Sequence, residues 1–141
     1  MVTKEMEKIN KLICFLMAIQ NFAKDIHYNA KGEAAYSKHL LADRIQKNLS
    51  EYIDGLKEVF FLGMDKKPLS SKEYLTLATS LIPEIKESDK ENFEVIAALL
   101  LATMRHIETL SDLTKGEENL IGNIAENIQN SLGLVNLQIK G

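Results

Sequence analysis

The sequence is poor in the residues that punctuate or crosslink a fold. It has one cysteine, two prolines, seven glycines and no tryptophan in 141 residues. A single Cys14 excludes an intrachain disulfide and a thiolate metal cluster. It falls on an apolar helical face, where burial is the expected role. With so few prolines, long uninterrupted elements are possible. No apolar run approaches the roughly 18 residues of a membrane span, and the start of the chain is charged and helical rather than signal-like. A cytoplasmic protein that does not cross a membrane is the expectation. Basic excess is also missing: the formal charge is −3 and the pI about 5.6. Nucleic acid is therefore a poor main partner, because phosphate contact needs a basic footprint. Lys4, Lys8 and Lys11 are interleaved with Glu5 and Glu7 and read as a solvated helix face.

What is present is helical periodicity. Hydrophobic residues make up 45% of the chain and charged residues 26%, which suits one globular domain spanning 1–141. Ile9, Leu12, Ile13, Leu16, Ile19, Ala23 and Ile26 recur at helical spacing, giving a first helix over 4–29. Gly32 supplies the turn. A second helix runs over 34–62 to Gly63. A loop with Pro68 follows, and Ser70 with Glu73 forms a capping box that opens a short helix ending near Pro83. Ser88 with Glu91 opens a third long helix over 89–113, and Thr114 with Glu117 a fourth over 115–138. Leu120, Ile121, Ile124, Ile128 and Leu132 form its buried stripe. No segment alternates with period two. Two tight hairpins joined by a long crossover predict an all-α, ferritin-like four-helix bundle with a short helix in the second connection.

The second helix carries the chemistry. On a wheel at about 100° per residue with His39 at zero, Asp43 falls near 40°, Asp54 near 60° and Glu58 near 100°. Leu41, Ile45, Leu49, Ile53, Leu56 and Phe60 occupy the other side, so the ligand stripe faces away from the core. The His39/Asp43 and Asp54/Glu58 clusters lie about fifteen residues apart, roughly 22 Å along an unbroken helix. One ion cannot bridge them. A second copy, antiparallel across a two-fold axis, brings each His/Asp end to its partner's Asp/Glu end and makes two equal sites. His27 and His39 flank the hairpin turn almost evenly and should sit at similar height. Each site then holds His27, His39 and Asp43 from one subunit with Asp54 and Glu58 from the other. Such a nitrogen–oxygen set suits iron, manganese or zinc and argues against a cysteine-type structural site. Taken singly, each of these residues is most often an ordinary surface side chain. The shared stripe, the height match and the position off the core set them apart.

The spacing His27-x11-His39-x3-Asp43-x10-Asp54-x3-Glu58 resembles the intersubunit ferroxidase pattern of the Dps mini-ferritins, and HYNAKG at 27–32 is similar to their His-Trp-Asn-x-x-Gly segment. The resemblance implies a hollow dodecamer that binds Fe(II) at dimer interfaces and oxidises it, typically with hydrogen peroxide. Ferric mineral would be stored inside, limiting hydroxyl-radical formation, with zinc or manganese as substitute ions. Two departures stand out. Tyr28 replaces the usual tryptophan, and no lysine-rich tail precedes the first helix, so DNA binding is not supported. No Glu-x-x-His occurs, which favours an interface site over one inside the bundle. Protonated imidazoles do not bind metal, so the expected pH optimum lies above about 6.5. The competing expectation is a non-enzymatic assembly or DNA-binding nucleoid protein with a structural metal.

Several other residues are read as structural. His106, beside Met104, Ile107 and Leu110, is expected to be a satisfied histidine. Asp112, Glu117 and Glu118 suit capping and dipole roles as well as the pores of the family. Glu51, between the two clusters, is a mineral-nucleation candidate. Met6, Met17 and Met104 read as core filler.

Overall fold

The computed structural model describes residues 2–141, with side chains from Glu5 onward, so the side chain of Lys4 lies outside the described residues. The described residues form helices and no strands: α1 Val2–Asn29, α2 Ala35–Gln46, α3 Leu49–Phe60, α4 Ser71–Thr79, α5 Asp89–Ile107 and α6 Lys115–Lys140, with a 3-10 turn at Leu62–Met64. The architecture is the all-α bundle expected. α1 is the hub and packs on α2, α3, α4 and α5, while α6 packs on α5 and α3.

The heptad-like stripe of α1 explains its central place. Leu12, Ile13, Leu16, Ile19, Phe22 and Ala23 are fully buried. Each large one contributes about 1.5–3 kcal/mol of burial. Ile45, Leu49, Ile53 and Leu56 of α2 and α3 close over that stripe, and Ile121, Ile124, Ile128 and Val135 of α6 complete the core. Gly55 lies where α3 passes α6, and a Cβ there would make ordinary van der Waals contact with the Leu120 side chain at 3.4 Å.

Helix starts follow their caps. Ser70/Glu73 and Thr114/Glu117 form reciprocal capping boxes. At α5 the Ser88 hydroxyl accepts from the Glu91 N–H, and the Glu91 carboxylate bonds the hydroxyl rather than the cap's N–H. The start of α2 has no such help. Gly32 has φ 75° and Ala34 φ 60°, and no side chain caps the helix there. A left-handed alanine costs roughly 1–2 kcal/mol, so contacts elsewhere must hold this turn.

Three boundaries differ from the sequence expectation. The short helix ends at Thr79, four residues before Pro83, and only i→i+3 bonds from Leu81 to Ala78 and from Ile82 to Thr79 follow it. The second helix is two helices. Lys47 is extended and Asn48 is left-handed at φ 72°, a conformation asparagine tolerates. The buried positions Ala42, Ile45, Leu49, Ile53 and Leu56 keep helical spacing across this break, which is why periodicity does not reveal it. The third helix stops at Ile107 rather than 113. Its end tightens through Thr109 N–H to His106 and Leu110 N–H to Ile107 bonds of i→i+3 type, and Asp112 then turns left-handed.

Candidate metal centre

His27 occupies the last turn of α1 and His39 the second turn of α2. The hairpin brings them to one height, as the even flanking of the turn predicted. Their rings stack with centroids 3.5 Å apart and planes 25° apart. Each ring also holds the other residue's backbone. His27 Nδ1 lies 3.1 Å from the His39 carbonyl, and His39 Nδ1 lies 2.9 Å from the His27 carbonyl. A carbonyl only accepts, so both Nδ1 atoms carry the hydrogen. In the neutral rings both Nε2 atoms then keep a bare lone pair. This is the tautomer a metal-binding histidine uses when its other nitrogen is fixed by a carbonyl. The donor set therefore fits a borderline divalent ion such as Fe(II). Tyr28 stands edge-on to His27, 4.9 Å between centroids, and is itself 79% exposed.

The carboxylates are placed differently. Asp43 is exposed one turn beyond His39, and its Oδ1 accepts from Gln46 Nε2 at 3.1 Å. Asp54 and Glu58 are exposed on α3, beyond the break. Asp54 lines a depression of about 330 Å³ with Lys57, Ser50, Gln20 and Leu75. Tyr74 forms its floor, with the Lys57 ammonium 4.8 Å from the ring centroid. Burial pushes the Tyr74 hydroxyl above its usual pKa, opposed by a bond from Leu69 N–H and reinforced by Cys14 and Glu73. Among the described residues, no three His, Cys, Asp or Glu side chains of one chain gather closely enough to hold an ion. The five predicted ligands thus divide into a joined histidine pair and three exposed carboxylates. The stripe does face away from the core. Its single-wheel phases and 22 Å span, however, assumed an unbroken helix, and the extended Lys47 and left-handed Asn48 remove that basis.

A solved structure of a Mycobacterium smegmatis Dps1 point mutant matches this arrangement of helices. It covers 98% of this chain and 96% of that one, with a TM-score of 0.77 and 15% sequence identity. The chain has a Dps-like ferritin fold. No protein-family model matches it, and no curated protein sequence does.

Within this Dps-like fold several of the remaining candidates have structural partners. His106 Nε2 bonds the Lys8 carbonyl at 2.8 Å and its ring packs on Phe15. It ties α5 to α1. Glu117 is spent on the Thr114 cap. Met6, Met17 and Met104 pack against the core, while Glu51 is exposed on α3. Sequence reasoning missed the carbonyl exchange between the two histidines. Backbone acceptors leave no trace in residue identity, so nothing in the sequence signals it.

Proposed function

We propose that this chain is an iron-oxidising, iron-storing mini-ferritin whose ferroxidase site is completed by a second copy of itself. The observation that carries the reading is the histidine pair, with both Nδ1–H groups engaged and neither Nε2 bonded to any of the described residues. Such fixed tautomers are what a preorganised metal site requires and what an ordinary surface histidine lacks. Fe(II) is the substrate. His27, His39 and Asp43 bind it from one subunit, with the partner's Asp54 and the partner's Glu58 opposite.

The α2–α3 break is compatible with this pairing. His39 with Glu58, and Asp43 with Asp54, share one midpoint along the chain, between Asn48 and Leu49. That midpoint sits at the break, and the two arms have 12 residues each. A two-fold axis there makes the two sites equivalent and sets α2 of one subunit opposite α3 of the other. The carboxylates become better ligands as the ion's charge rises, which favours Fe(III) over Fe(II). Two Fe(II) ions give one electron each to hydrogen peroxide, its O–O bond breaks, and hydrolysis of the ferric product releases protons. Closed assembly into a hollow dodecamer would retain the mineral.

Subunit mixing tests the shared site. His39→Ala and Asp54→Ala homo-oligomers are each expected to lose rapid ferric absorbance after Fe(II) and peroxide. Dissociated and reassembled together, they form heterodimers with one intact site, and about half the wild-type rate per heterodimer should return. No recovery in verified hetero-oligomers would end the intersubunit reading. Undiminished rates in both single variants would end the ferroxidase reading.

A further inference from the structure

The turn that presents the histidine pair is held from a distance. Between His27 and His39 the chain passes through left-handed Gly32 and Ala34, and no side chain caps α2. The fixing contact comes from α5. Asp89 Oδ2 accepts from the Lys31 N–H at 3.0 Å and from the Lys38 ammonium at 3.1 Å. Lys38 also reaches the Lys31 carbonyl at 3.3 Å. Asp89 is only 8% exposed, so this charge is paired out of bulk water. One carboxylate therefore grips the turn through its backbone and grips α2 through the residue next to His39.

We propose that Asp89 is a positioning residue for the histidine pair, clamping the 30–34 turn so that each imidazole presents its Nδ1–H to the other residue's carbonyl. Asp89 touches neither ring. It acts through the Lys31 backbone and Lys38. The carbonyl exchange closes only if α1 and α2 keep their axial offset, and a turn with two left-handed residues cannot set that offset alone. An aspartate at the start of α5 also favours the helix dipole, but that role needs neither Lys38 nor the Lys31 N–H. The consequence for metal affinity rests on the proposed function, while the effect on the rings does not.

The test is read first on the metal-free protein. Long-range ¹H–¹⁵N spectra at about pH 8, where free imidazole is neutral, should show both rings protonated at Nδ1. Asp89→Ala should shift both toward the Nε2–H form, and Asp89→Asn, which keeps an oxygen acceptor, should restore the wild-type pattern in part. Lys38→Met should resemble Asp89→Ala. Co(II) titration followed by its visible absorption should show about a 10-fold weaker affinity in Asp89→Ala. Wild-type tautomers in folded Asp89→Ala and Lys38→Met would overturn the proposal. Altered tautomers with unchanged Co(II) affinity would support the positioning role and count against the metal site. Should Asp89→Ala not fold, Asp89→Asn and Lys38→Met decide: unaltered rings in both overturn the proposal.

Discussion

Tyr74 shows how one side chain sets a pH limit on the fold. It is 1% exposed, donates to Asn10 Oδ1 at 2.6 Å and accepts from Leu69 N–H at 3.2 Å. Tyr74→Phe leaves both partners without their bond and should cost about 1–3 kcal/mol in urea unfolding. Burial raises its pKa and also that of Cys14, from ordinary values of 10.0 and 9.0. Both groups are neutral when protonated, and the fold binds those protons more tightly than the unfolded chain does. The contribution of these two groups to stability is therefore fully present below pH 9.0 and is lost as pH rises past 9.0 and 10.0 toward the raised values. A melting temperature that stays level from neutral pH to 9.0 and then declines is expected, with a shallower decline in Tyr74→Phe. A level melting temperature through the alkaline range would contradict this account.

Helix ends and the α2–α3 break set the stability of the elements. Thr114→Ala removes the hydroxyl that accepts the Glu117 N–H and opens the capping box of α6. The expected loss is about 1 kcal/mol, read as a lower denaturation midpoint with unchanged m-value. At the break, left-handed Asn48 accepts glycine readily, whereas a β-branched side chain there is strained. Asn48→Gly should be close to neutral and Asn48→Val should cost roughly 1–2 kcal/mol. A stabilised valine variant would mean that α2 and α3 fuse when allowed. The caps were legible because each needs only two residues three apart. The break was not, because its buried positions keep the spacing of an unbroken helix and one asparagine is no helix stop by itself. The end of α5 was missed for a similar reason: Leu110 and Leu113 continue the apolar pattern and still pack on the core from outside the helix.

For the molecule as a whole, the proposed site links metal to assembly. Opposed carboxylates on an exposed face repel when no cation lies between them. Sedimentation velocity should therefore show a tighter dimer with Mn(II) or Zn(II) than with chelator, by RT ln(1 + [L]/Kd) for each site. His39→Ala/Asp54→Ala should lose that dependence. An association constant blind to metal in the wild type would place the carboxylates away from any shared site.

Taken alone, the sequence determined the all-α bundle, the three N-terminal caps, the core stripes and the hairpin that brings His27 and His39 level, because each depends on local periodicity or a fixed offset from a turn. It also placed Asp43, Asp54 and Glu58 off the core face, since burial of the apolar side leaves the other to solvent. Tertiary structure decided the break at Lys47–Asn48, the early end of α5, the carbonyl exchange between the imidazoles and the reach of Asp89 to the turn. These depend on backbone groups and on residues as far apart as Lys31 and Asp89, whose meeting is set by how whole helices pack and not by any pattern within one of them.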